Sequence, residues 1–218
     1  MSLRLIAGPT VEPVTVEFLR DHAKLDDAES NTLLSMYLKA ARRQAEHLME
    51  RSIMLQTWGR TLDAFPSAIE LGRPSVQREA GDSVLIDAVV SVTYYDAAGA
   101  LTTLDPSAYV LDDRTEPGYV LPVVDWPATE ARANAVEARW RAGLTDPADV
   151  PTDIVHWICL RAATAVRQRE EFRRDEARES VDGTDTCLPG LFEALPGRFR
   201  KGDREIGNDG HWPAPDSL

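Results

Sequence analysis

The chain has little that would give it a covalent or metal-held frame. Its only cysteines, Cys159 and Cys187, show no CxxC or Cys/His ligand spacing, so neither a disulfide scaffold nor a structural zinc site is indicated, and a reducing compartment is expected. Lysine is almost missing, with Lys24, Lys39 and Lys201 the only three, and the formal net charge is -12. A surface this acidic does not neutralise phosphates and excludes a general nucleic-acid binder, although it does not exclude a protein that lets DNA pass without gripping it. No run approaches eighteen apolar residues, and the opening MSLRLIAGPTVEPV is too short in apolar character for a signal peptide; the expectation is a soluble protein used on the cytoplasmic side. Internal repeats at solenoid periods are missing as well.

Catalytic motifs are equally scarce. There is no GxSxG elbow, no GxxxxGK[ST] or GxGxxG phosphate cradle and no HExxH. His22, His47 and His156 fall on helical patterns without a partner that would position them as bases, and His211 lies in a Gly/Pro-rich tail. The carboxylate pairs Asp112 with Asp113 and Asp63 with Glu70 leave a metal-assisted hydrolase as a minor alternative, but in an acidic chain such pairs more often mark a solvated turn or sheet edge. No enzyme activity, cofactor or metal is expected.

What is present is 43% apolar content with clear periodicity, sufficient for one ordinary domain or a domain carrying a large insert. Residues 1–14, with Pro9 and Pro13, read as an extended lead-in. Thr15 is placed to cap a short helix over Val16–Leu25. Leu34, Leu38, Ala41, Ala45 and Leu48 recur at spacings of 4, 3, 4 and 3, one continuous helical stripe, with Arg42, Arg43, Glu46 and Glu50 opposite or flanking. From Ile53 the period changes to strand-like runs, Ile53–Leu62, Ala68–Leu71, Val84–Tyr95, Tyr109–Leu111, Tyr119–Val124 and Ala135–Trp140, separated by Gly/Pro/Asp turns. Pro151 suits the first turn of a helix running to about Arg178, whose second half, from Arg167 on, is charged all round. Its Arg173 and Arg174 alternate with carboxylates and are read as members of intrahelical pairs on an exposed or intersubunit helix. A short helical pattern follows over Leu188–Arg200 with Leu191, Leu195 and Phe199 on one face, then a Gly/Pro-rich tail.

The fold class read from this is α+β: a helical frame of two N-terminal and two C-terminal helices with an inserted antiparallel β-rich region. The implied segments are 1–52, the N-terminal helical part; 53–150, the β-rich insert; 151–200, the C-terminal helical part; and 201–218, an extended tail. The insert carries 7 basic and 15 acidic residues and so holds -8 of the total charge. Trp58, Trp140 and Trp157 fall in periodic elements and are expected in the core. Trp126 and Trp212, each followed by proline, lie where little local core can cover them and are read as interface anchors, Trp212 in a tail that a partner or neighbouring subunit is expected to hold.

Several stretches then resemble a family. Ser2–Ile6 followed by Glu12–Thr15, the passage from Ala41–His47 through Gln56–Trp58 to Thr61–Pro66, Trp126-Pro127 before Asn134–Val136, and Ala148–Pro151 opening the third helix together resemble the head-tail connector, or adaptor, proteins of long-tailed phages and phage-derived gene transfer agents. The resemblance spans roughly residues 2–165, and the extension 201–218 departs from it. It implies a ring of identical subunits, expected to be dodecameric, assembled in the host cytoplasm and docked beneath the portal protein at the head-tail junction of the particle. Such a ring supports the next tail-proximal head-completion or stopper protein and passes DNA without sequence-specific binding. In such adaptors the helical part builds the ring and C-terminal elements engage the portal, which makes Arg198, Arg200, Leu191, Leu195 and Phe199 beside Trp212 interface candidates, with Trp126, Arg173 and Arg174 further back. The competing reading is a non-viral binding module that recognises a protein or glycan through its β insert.

Overall fold

The computed structural model describes residues 2–25, 29–81 and 85–175, with side chains to 169. Among these residues the elements in chain order are β1 (Ser2–Ala7), α1 (Val16–Ala23), α2 (Asn31–Met49), β2 (Gln56–Leu62), β3 (Ile69–Leu71), β4 (Ala88–Tyr95), β5 (Leu101–Thr103), β6 (Tyr109–Asp112), β7 (Gly118–Pro122), β8 (Val136–Ala142) and α3 (Thr152–Asp175). The α+β class holds, but with three described helices in place of four, because the expected helix over Leu188–Arg200 lies outside the described residues.

Local chemistry accounts for the helix limits. The Thr15 hydroxyl accepts a hydrogen bond from the Phe18 amide at 3.1 Å, satisfying one orphan donor at the start of α1. Lys24 and Glu50 end α1 and α2 in left-handed conformations, and Arg73 donates to the Glu46 carbonyl at 2.9 Å in the last turn of α2. Pro151 stands one position before α3, and its carbonyl accepts from Ile154 and Val155.

The strands form two antiparallel sheets, one of five strands in the order β1-β2-β8-β4-β5 and one of three in the order β3-β7-β6. Their inner faces share one core: Leu62, Val92, Val136, Ala138 and Trp140 from the larger sheet against Ile69, Leu71 and Val120 from the smaller. Trp140 is fully buried, and its indole N–H donates to the Gly72 carbonyl. A second core lies within the helices, where Leu19, Leu34, Leu38, Ala41, Ile154, Trp157 and Ile158 meet Ile53, Met54 and Leu144 from the chain leaving and entering the sheet. The three helices pack against one another, α2 on α3 and α1 on both.

Two strands lie outside the strand-like runs that the sequence predicts. Ser2–Ala7 is the edge strand of the five-stranded sheet, paired antiparallel with β2 from Ser2 opposite Thr61 to Ala7 opposite Thr57, so the N-terminal segment contributes to the β part. The three-residue strand β5 pairs with β4 from Thr93 opposite Thr103 to Tyr95 opposite Leu101 and completes the other edge. Trp58, expected in the core, is half-buried: its ring lies under the Arg73 guanidinium, 5.7 Å from the centroid, and its N–H donates to the Ser52 hydroxyl.

Candidate assembly surface

The junction between helices and sheet is held by buried charge. Arg42 and Glu46, one turn apart on α2, were expected on its polar flank and are instead 5% and 7% exposed. Arg42 donates to the Glu46 carboxylate at 2.6 Å and, through Nε, to Glu12 at 2.7 Å. The other Glu46 oxygen accepts from the Ile53 amide and from the Gln56 side chain. One carboxylate thereby ties α2 to the start of β2, while Arg42 ties it to the loop after β1. Burial pushes the Glu46 carboxyl above its usual range, and the Arg42 charge only partly offsets this.

The outward faces of the sheets differ. On the larger sheet, register places Arg4, Thr57, Thr61, Thr93, Glu137, Arg139 and Arg141 on the face away from the shared core. Glu137 accepts from Arg4 at 2.6 Å and from Arg139 at 2.9 Å, and Arg141 pairs with Asp87 at 2.8 Å. Partial burial is the largest single influence on Glu137 and raises its pKa, but the hydrogen bonds and charges of Arg139 and Arg4 together outweigh it and hold the carboxyl below its usual range. Stability from this pairing is therefore fully present at neutral pH and is lost as pH falls through the depressed pKa. Because Arg4 lies on the edge strand, Glu137→Gln is expected to cost about 0.5–1 kcal/mol, concentrated in faster amide hydrogen exchange over Ser2–Ala7. Unchanged exchange there would refute the clamp.

The smaller sheet turns an apolar stripe to solvent. Val110 is the register partner of Leu121, and alternation along β7 puts Tyr119, Leu121 and then Val123 on the side away from the core. Val110, Leu121, Val123 and Val124 are all exposed, Val124 to 83%. Between residues 105 and 125 stand five acidic residues, Asp105, Asp112, Asp113, Glu116 and Asp125, and a single basic one, Arg114. Only Glu116 among the five has an ion-pair partner recorded in the structure, Arg51. Asp105 and Asp112 stabilise their own turns, accepting from Ser107 and from Arg114 and Thr115 respectively. Those hydrogen bonds hold the Asp105 carboxyl below its usual range. The result is a set of exposed apolar side chains in a segment rich in acidic residues.

The remaining sequence candidates fall unevenly. Trp126 is half-buried and stacks on Phe65, centroids 4.6 Å apart and planes 5° apart, so the sheet core covers a side chain expected to lack cover. Arg173 and Arg174 lie on the α3 backbone with side chains outside the described residues. Leu191, Leu195, Arg198, Phe199, Arg200 and Trp212 lie outside the described residues altogether. Arg169, in the charged second half of α3, bonds to Glu29 ahead of α2. Of the carboxylate pairs, Asp63 accepts from the Asn134 amide and Glu70 pairs with Arg60, while Asp112 is committed to its turn. No group of three or more His, Cys, Asp and Glu among the described residues is placed to hold a metal ion. The edge-to-face contact of His22 with His156, at 5.4 Å, sits on an exposed helical surface beside Phe18. Burial pushes the Cys159 thiol up to about 11, which leaves it unreactive.

A solved chain from the virion of a native gene transfer agent particle superposes on this one with a TM-score of 0.67, covering 95% of this chain and 98% of that one at 19% identity. The fold is that of a gene transfer agent particle chain. Two further chains agree over the same extents: one from the neck of an empty particle computed with C6 symmetry, at 0.66 and 18% identity, and one from the neck of a native particle computed with C12 symmetry, at 0.63 and 20%. No protein-family model and no curated protein matches the sequence. At these identities the agreement is one of fold, over nearly the whole length of each chain.

Proposed function

We propose that the chain is a structural adaptor of a phage-like particle: a non-enzymatic subunit of an oligomeric ring that joins the portal vertex of the capsid to the tail and lets DNA pass. The observation that carries this reading is the near-complete mutual coverage, 95% and 98%, with chains of gene transfer agent particles, two of them from the neck. The necks computed with C6 and C12 symmetry support a ring, and the dodecamer is the reading adopted here. Head-to-tail contacts in a ring require two different complementary patches on each subunit. The acidic apolar strip is a patch of the kind that such contacts cover.

Portal protein on one side and a tail-proximal head-completion protein on the other are the expected neighbours. The acidity of the β part suits a passage for DNA, because like charge keeps the duplex from adhering to its wall. Electron microscopy of particles carrying an epitope-tagged copy of this chain tests the reading. A ring of label between capsid and tail is expected; a particle that lacks the chain, or carries it only on the capsid shell or the distal tail, overturns it.

A further inference from the structure

We infer that the outward face of α2 docks on the β6–β7 hairpin of a second copy of this chain, its cations Lys39 and Arg43 meeting the hairpin's free carboxylates Asp113 and Asp125. This deepens the adaptor reading and rests on it for the ring, since it names a contact between one ring subunit and the next.

The core side of α2 is the stripe Leu34, Leu38, Ala41 and Ala45, and Met36, Lys39, Arg43 and His47 lie on the opposite side, all exposed. Lys39, Arg43 and His47 follow one another at i, i+4 and i+8, while Glu46, the one carboxylate within the helix, is buried. No ion pair among the described residues involves any of these three basic side chains. Like charges one turn apart repel each other, so this face gains from an anionic partner.

The matching anionic surface is carried by the chain itself. Asp113 and Asp125 are exposed and have no hydrogen bond or ion pair among the described residues. Asp113 follows the ladder pair Asp112–Tyr119, and Asp125 lies three positions beyond Pro122 of the pair Tyr109–Pro122, so the two mark opposite ends of the hairpin. Val110 and Leu121, register partners within that ladder, are exposed as well. The ladder spans about 10 Å, against about 12 Å along the helix axis from Lys39 to His47. A helix laid along the hairpin therefore sets the aliphatic stems of Lys39 and Arg43 on the apolar side chains and sends their charged heads toward the carboxylates.

Charge selects the partner and the mode of contact. Arg51, just past the end of α2, is paired with Glu116 in the β6–β7 turn, which fixes the hairpin at that end of its own helix, and no ion pair joins the stripe to that hairpin. One folded body thus carries a cationic and an anionic surface that do not satisfy each other. Helix on helix, or hairpin on hairpin, would set like charge on like charge, so two copies associate head to tail, the arrangement that generates a ring. Duplex DNA would also meet the cations, but its backbone offers nothing apolar to Met36, which is 51% exposed beside them.

Disulfide trapping between two versions of the full chain tests this. Both carry Cys187→Ser; one adds Ala40→Cys on the outward face of α2, the other Val124→Cys beside Asp125, so that all four charged groups are kept. Buried Cys159 stays silent. Mixed under mild oxidation, the two are expected to give a crosslinked heterodimer about tenfold more abundant than a control mixing Ala40→Cys with Val90→Cys. Lys39→Glu with Arg43→Glu on the first chain should abolish that excess, and Asp113→Arg with Asp125→Arg on the second should then restore it. A yield no greater than the control overturns the inference, as does a reversal that the second pair of substitutions fails to rescue. Binding of the unsubstituted chain to duplex DNA, lost with Lys39→Glu and Arg43→Glu while no excess crosslink forms, overturns it in favour of DNA. Failure here with the chain still seen between capsid and tail removes the contact and leaves the adaptor reading standing. Crosslinking by a chain missing from that position does the reverse.

Discussion

Gly143→Ala is expected to destabilise the protein by about 4 kcal/mol or more, enough to leave little folded chain at 37 °C. Gly143 has φ +114°, outside the range of L side chains, and a Cβ built there would lie 2.1 Å from the Met54 carbonyl oxygen and 2.3 Å from its carbon. Those atoms are backbone and are themselves fixed. The Leu144 amide donates to the Ile53 carbonyl and the Leu55 amide to the Leu144 carbonyl, while the Gly143 amide donates to the Ser75 hydroxyl at 2.7 Å. Relief of the clash means separating the two segments that connect sheet and helices. Gly99→Ala is the matched control: φ is +80°, but only the end of the Glu130 side chain comes near, so about 1 kcal/mol is expected. Equal losses in thermal melts of the two variants would show that conformation, and not the close approach to Met54, sets the cost.

The second large effect is expected at Arg42. Arg42→Met keeps the apolar volume but leaves the carboxylates of Glu12 and Glu46 facing each other without a cation, and removing one partner of a buried pair typically costs about 3–5 kcal/mol. Glu46→Gln should cost less, because the amide oxygen still accepts from the Ile53 amide. The pH dependence separates the cases. A carboxyl whose folded pKa is raised binds its proton more tightly in the folded state, so its ionised form penalises folding above that pKa. In Arg42→Met, stability measured by urea unfolding should therefore rise as pH is lowered from neutral through the raised pKa of Glu46, and level off below the ordinary glutamate range. In Glu46→Gln that rise should be missing. A variant Arg42→Met whose stability falls monotonically with acidification would refute the role assigned to Glu46.

The parts of this fold that rest on local signals are the parts legible in the sequence. Thr15 caps α1, the Leu34–Ala45 stripe is buried in α2, and the alternation Val136, Ala138, Trp140 faces the core of the sandwich. What escaped depends on partners distant in sequence. Ser2–Ala7 alternates as a strand does, but only its pairing with Gln56–Leu62, over fifty residues away, distinguishes a sheet edge from a lead-in. Arg42 and Glu46 have ordinary i,i+4 surface spacing, and nothing local announces that Glu12, Ile53 and Gln56 converge on them. Trp126 had no visible cover because Phe65 reaches it from sixty-one positions upstream. The apolar strip was hidden by its brevity, since Val110 and Leu121 become neighbours only through the β6–β7 register. The family resemblance drew on order and spacing over residues 2–165, which lie within the stretch, 2–175, that the two sheets and three helices occupy.

The central strands β2 and β8 lie side by side over seven registered pairs, from Gln56 opposite Ala142 to Leu62 opposite Val136. Both have their helix-facing ends at the same place, β2 continuing from α2 and β8 leading on to α3. Tension applied between the helical end and the far end of the sheet is therefore carried along two covalent backbones in parallel, and the hydrogen bonds between them only keep the two ropes together. Such a subunit resists being drawn out lengthwise far better than being peeled sideways at β1 or β5, whose attachment is non-covalent on one side alone.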